Sequence, residues 1–118
     1  MSDGNGNLPL TVRVERHGVV VIVVDGELDV ATAPILASAL EQAATGEAPV
    51  VVDLSRVRFA DCAGIRPLLA TRHRLTGMGQ GLAVQGPSTA VRTLFSVLGL
   101  DALLQDVAAT TADATPPG

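Results

Sequence analysis

The 118-residue chain has no Trp and no Tyr, only two Phe, one Cys and two His, and every one of its basic side chains is Arg. Each shortage excludes something. With no Trp or Tyr to stack on bases and a formal net charge of −4, the chain is a poor fit to nucleic acid, and none is expected as a partner. One cysteine cannot form an internal disulfide, which points to a reducing compartment and a cytoplasmic location. No His or Cys spacing supports a structural metal, and no cofactor is implied. Met1 to Leu10 lacks the basic start and apolar run of a signal peptide. No apolar stretch reaches the length of a bilayer span, so direct membrane insertion is not expected.

What the chain does have is Val, Leu and Ala, so its core must be aliphatic. Its length suits one domain, burying roughly two-thirds of its unfolded surface without metal or disulfide support. Residues 1–9 are rich in Gly and Asn, and residues 108–118 in Thr, Ala and Pro. Both read as disordered tails around a domain at 10–107.

Within that domain Thr11 to Arg16 alternates as a half-buried strand does, His17-Gly18 makes a turn, and Val19 to Val24 forms a second strand paired as a hairpin. Asp25 to Asp29 reads as a polar loop. A first helix follows, capped by Thr32 and opened by Pro34, with Ile35, Leu36, Ala39, Leu40 and Ala43 inward and Gly46 closing it. Val50 to Leu54 is a buried third strand, followed by a short polar turn. A second helix carries Ile65, Leu68, Leu69 and Leu75 inward. Leu82 to Gln85 is a fourth strand, and Pro87-Ser88 starts a third helix with Val91, Leu94, Phe95 and Leu98 on one face. Leu103 to Val107 could add a last short strand. The order predicts an α/β domain: a mixed β-sheet of four to five strands with three or so helices packed on it.

The stretch richest in chemistry is the entry to the second helix. Asp61 sits where its carboxylate can accept from the free N–H groups of that helix. Cys62, Ala63 and Gly64 carry almost no bulk, which leaves the backbone open to a partner. Pro67 keeps the helix from starting much earlier. A charge placed at such a helix mouth has a large effect.

Two segments, in this order, resemble the STAS domain of bacterial anti-sigma factor antagonists. Gly26-Glu27-Leu28-Asp29 is similar to that family's G-E-L-D. Asp53-Leu54-Ser55 through Phe59-Ala60-Asp61-Cys62-Ala63-Gly64-Ile65 is similar to its D-L-S-x-V-x-F-x-D-S-S-G-L. The likeness runs from about Leu10 to Val107. It implies a STAS fold and a binding protein with no chemistry of its own. The implied partner is an anti-sigma factor that is also a serine kinase of the histidine-kinase ATPase fold, and binding it frees a sigma factor. In the family the second serine of D-S-S-G is phosphorylated and binding is then lost. Here that position is Ala63 and the preceding serine is Cys62, so the usual switch has no hydroxyl to act on. The resemblance places Asp29 beside the helix mouth, and the expected partner-binding set is Asp29, Asp61, Cys62, Ala63, Gly64 and Arg66. A second departure is the end of the chain, where Ala108 to Gly118 shows no amphipathic pattern for the family's last helix.

Other readings of these residues exist. The fold also serves as a STAS subunit of a lipid-transport ABC system or of a signalling scaffold. Cys62 at a helix start could act as a nucleophile or redox sensor, but no base is placed beside it by sequence; a small serine substitute is the simpler account. Asp25, Glu27, Asp29, Asp53 and Asp61 could gather near one metal, although a helix cap for Asp61 and a strand-end acceptor for Asp53 suit them better. Arg56, Arg58, Arg66, Arg72 and Arg74 fall close together in sequence, as a solvated helix face or as a surface for an acidic partner. The glycines at 77, 79 and 81 follow a helix and precede a strand, the reverse of a phosphate-binding loop, and so form a turn.

Overall fold

In a computed structural model, which describes residues 9–100, the chain runs β1 (Leu10–Arg16), β2 (Val20–Leu28), α1 (Ala33–Ala43), β3 (Val50–Ala60), α2 (Cys62–Gly77), β4 (Leu82–Gln85) and α3 (Thr89–Val97). The four strands form one mixed sheet in the order β1-β2-β3-β4. β1 and β2 pair antiparallel, whereas β2–β3 and β3–β4 are parallel. The expected final strand at 103–107 and the two expected tails lie outside the described residues, apart from Pro9.

One face of the sheet carries the core. Ile22, Val24, Val52, Leu54 and Val84 are completely buried, and their alternation follows from the two-residue repeat of a strand. Helix α1 meets this core through Leu36, Leu40 and Ala43, one stripe at four- and three-residue spacing. Helix α2 adds Ile65, Leu68 and Leu75, and α3 adds Val91 and Phe95. Each fully buried aliphatic side chain contributes about 1.5–3 kcal/mol, so an aliphatic core suffices without aromatic bulk.

Two strands are longer than the sequence predicts. Asp25 to Leu28 is not a loop but the end of β2, and β3 continues past Leu54 to Ala60. The regular alternation is interrupted because the β2–β3 register shifts between Val23 and Asp25 and again between Gly26 and Glu27. Gly26 takes φ +133 there, and a Cβ on it would fall onto the Pro9 carbonyl. Beyond Asp53, β3 pairs only with β2, because β4 stops at Gln85. That open side explains how Ser55, Arg56 and Arg58 can lie within a strand and stay exposed. Asp53 is accordingly mid-strand rather than at a strand end; its carboxylate accepts from the Ser55 N–H (2.9 Å) and hydroxyl (2.7 Å).

The helices differ in smaller ways. Ile35 is 41% exposed instead of inward, because it lies over the β1 edge where the sheet ends. Ala39, Leu69 and Leu94 are half-buried. Leu98 lies just past the end of α3 and is exposed. Helix α1 stops at Ala43, leaving Gly46 in the following loop.

Candidate functional site

The ends of β2 and β3 and the start of α2 meet at one point. The Asp61 N–H donates to the Leu28 carbonyl (3.1 Å), which ties the turn before α2 to the end of β2. Asp61 itself caps α2: its carboxylate accepts from the Gly64 N–H at 2.9 Å. Gly64 is buried, and a Cβ there would collide with the carbonyl group of Leu28 and come within 2.6 Å of the Asp29 nitrogen. Only glycine lets the first turn of α2 press its backbone against the Leu28-Asp29 turn. Two loops far apart in sequence thereby form a single surface.

Asp29 builds the other half. Its carboxylate accepts from the N–H groups of Ala31 (2.9 Å) and Thr32 (3.0 Å), closing a tight turn. Thr32 precedes α1, as expected, but its hydroxyl does not cap the helix. The buried hydroxyl instead donates to the Glu27 carbonyl (2.7 Å) and accepts from the Asp29 N–H (2.9 Å). Thr32 thus fixes the Asp29 turn from beneath, which explains why a polar side chain is buried there.

The six residues expected at the site are all at this junction. Cys62 and Arg66 are exposed, Asp29, Asp61 and Ala63 are half-buried, and Gly64 lies beneath them. Sequence reasoning missed the wall beside them. A groove of about 400 Å³ runs between α1 and α2, with Val30, Ala33, Pro34, Ala63, Arg66 and Pro67 among its lining residues. Val30 stands at 74% exposure, an apolar side chain presented to solvent at the groove's edge. A signal for it exists: Ala33 and Ala37 on α1, and Ala63, Pro67 and Ala70 on α2, repeat at three- and four-residue spacing. Pro67 also deprives the Ala63 carbonyl of its normal helical donor, since proline has no N–H.

Among the described residues no group of three or more His, Cys, Asp or Glu is placed to hold a metal ion. The arginines do not make one continuous stripe either. Arg58 pairs with Asp25 (3.3 Å) on the sheet, and Arg74 donates to the Ala44 carbonyl (3.1 Å) at the end of α1. Arg66 alone among the five borders the groove. Among the described residues no helix is long and apolar enough to cross a membrane. The junction combines a capped helix mouth with a small-residue floor, an apolar groove on one side, and Asp29, Asp61 and Arg66 around it.

Comparison with known proteins gives the family of the chain. A family model described as "Mlab, STAS domain" matches residues 12–105. The anti-sigma-F factor antagonist RsfB of Mycobacterium tuberculosis is 34% identical over 94 residues, covering 78% of this chain and 76% of that protein. The crystal structure of an anti-sigma factor antagonist from Mycobacterium paratuberculosis superposes with a TM-score of 0.73 at 35% identity, covering 86% of this chain and 92% of that one. The anti-sigma factor antagonist SpoIIAA in its unphosphorylated form gives a TM-score of 0.60 at 25% identity, over 79% of this chain and 84% of its own.

Proposed function

Because the chain belongs to the STAS-domain family, we propose that it acts as an anti-sigma factor antagonist, binding its anti-sigma factor through the mouth of α2 and the adjoining Asp29 turn. One observation supports this reading: Gly64 brings the backbone of α2 against that of Leu28 and Asp29, and the neighbouring Ala63 lines one groove together with Val30 of the other loop. Its work is binding and not catalysis. Cys62 is exposed, with no catalytic base assigned to it, and serves as a small residue of the contact. The partner is an anti-sigma factor of the serine-kinase type, and its capture releases a sigma factor.

Ala63 makes this antagonist permanently competent at that site. A phosphate on a side chain there would bring about −1.5 to −2 charges to a half-buried position two residues from the Asp61 carboxylate. Bulk, desolvation and like-charge repulsion would all oppose a closed interface. Alanine keeps the size of an unmodified serine and lacks the oxygen that a kinase needs. Control must then come from the abundance of the protein or from the state of its partner.

The test is capture of the tagged chain from its own cell lysate, followed by titration of the recovered anti-sigma factor against variants. Ala63→Asp is expected to weaken binding at least about tenfold, because it buries an unpaired charge in the contact. Ala63→Ser should bind like the parent and gain sensitivity to ATP in the presence of the kinase. Equal binding by Ala63→Asp would remove the helix mouth from the interface. Recovery of transport subunits, with no kinase-fold partner, would replace the reading with that of a STAS subunit of a lipid-transport system.

A further inference from the structure

Among the described residues β1 is an edge strand, and of the usual devices that block pairing it carries only charged side chains, Arg13, Glu15 and Arg16. It occupies one end of the described sheet, runs seven residues without a bulge, and contains neither Pro nor Gly. The opposite edge, β4, is only four residues long. In the β1–β2 ladder the Glu27 N–H donates to the Pro9 carbonyl and the His17 N–H to the Val19 carbonyl. Odd-numbered residues of β1 therefore form the hydrogen-bonded pairs with β2. By the alternation of an antiparallel ladder, the backbone groups of Val12, Val14 and Arg16 point away from the sheet.

The side chains on this edge are self-complementary. Arg13 and Glu15 lie on one face, joined by an ion pair of 2.9 Å. Val12 and Val14 lie on the other, where Val14 is 37% exposed and Ile35 of α1 stands beside the edge at 41%. A groove of about 660 Å³ opens between β1 and α1, lined in part by Leu10, Val12, Ile35, Ser38 and Gln42.

We propose that a second copy of this chain pairs antiparallel with β1 about a two-fold axis at Val14, joining two four-stranded sheets into one. That register sets Val14 against Val14 and Val12 against Arg16 as hydrogen-bonded pairs, with two main-chain bonds each. It sets Arg13 of each copy against Glu15 of the other at the close, non-hydrogen-bonded positions, where opposite charges attract most. Shifting the axis to Arg13 would place two arginines face to face, so charge selects the register. On the opposite face the aliphatic stem of Arg16 covers Val12 of the other copy, at the mouth of the groove under α1. Opposed charges and a bare apolar strip favour a second copy over a foreign strand. Val14 sits opposite Ile22 in the ladder, well along β2 from Leu28, so the mouth of α2 stays uncovered in both copies. The proposal stands independently of what binds there.

Sedimentation velocity of the full chain over a concentration series, with circular dichroism to confirm folding, decides the matter. A reversible monomer–dimer equilibrium is expected. Arg13→Glu should raise the dissociation constant about tenfold, since two attractive cross-strand pairs become repulsive. The double variant Arg13→Glu with Glu15→Arg should restore it to within about threefold. Val14→Pro removes a main-chain donor at the axis and should leave monomer. A wild-type chain that is monomeric throughout the series overturns the proposal. So does a dimer indifferent to Arg13→Glu, or one that the charge exchange fails to restore. Should Val14→Pro not fold, the charge pair decides alone.

Discussion

Helices α2 and α3 begin in the same way and end up with different roles. Each is preceded by a residue in extended backbone conformation whose side chain accepts from the N–H three positions later. Asp61 accepts from Gly64 at 2.9 Å, and Ser88 accepts from Val91 at 3.3 Å. The third helical residue then separates them. In α3 it is Val91, whose side chain is fully buried in the core. In α2 it is Gly64, which has no side chain, and the space is taken by the backbone of Leu28 and Asp29. A capped helix start is common and by itself says little about function. The missing side chain at Gly64 turns one of the two starts into a surface shared by two loops.

The sharpest way to break this comparison is to supply the missing atom. Gly64→Ala places a methyl group against the Leu28 carbonyl, on backbone held on one side by the β2–β3 ladder and on the other by the hydrogen bonds of the Asp29 turn. Neither side can yield cheaply, so a loss of about 3 kcal/mol is expected in urea unfolding, at the upper end for an overpacked site. A loss below about 1 kcal/mol would mean that the two loops can separate without strain, and the shared surface would not be a fixed feature of the fold.

The caps come next. Asp61→Ala should cost about 1–2 kcal/mol, since it removes a charged acceptor at a positive helix end. Ser88→Ala removes a longer, neutral bond and should cost about 0.5–1 kcal/mol. Thermal unfolding of both variants gives the ranking. Partner affinity gives the sharper contrast: Asp61→Ala should lower it, and Ser88→Ala should leave it unchanged. Equal effects on affinity would make the two helix starts equivalent and dissolve the distinction.

How much of this is legible in the sequence follows from which physical signals are local. The cap at Asp61, the mouth of α2 at Cys62-Ala63-Gly64 and the strand at Leu82–Gln85 rest on short-range chemistry and lie where the residues indicate, and α3 begins at Thr89, just after the expected Pro87-Ser88. The G-E-L-D segment reads as a loop because its polar residues and glycine are loop signals. What makes it strand is pairing with β3 across the register shifts at Val23–Asp25 and Gly26–Glu27, which no local pattern encodes. The role of Thr32 is hidden for a related reason. A threonine before a helix suggests a cap, but this hydroxyl is drawn to the Glu27 carbonyl by the way β2 ends. The groove between α1 and α2 escapes a reading that takes the alanines of each helix separately. Only the packing of the two helices shows that Ala33 and Ala63 line one space.

The smallest expected effect is also the most discriminating. Ala63→Ser adds a single oxygen to a half-buried position in the first turn of α2, just after the cap. Serine has a lower helix propensity than alanine, by a few tenths of a kcal/mol, but early helical positions tolerate it because their N–H groups lack intrahelical partners. The change in stability should stay within about 0.5 kcal/mol, measured by urea unfolding. The equivalent change in α3, Ala90→Ser, should be as mild. On the proposed reading the two variants would then differ in their response to a kinase-type partner, since only the hydroxyl introduced by Ala63→Ser would stand at the shared surface. If Ala63→Ser instead destabilised the fold by more than about 1 kcal/mol, alanine would be there for packing. The absence of a hydroxyl would then be a structural demand of this helix mouth and not a mark of constitutive binding.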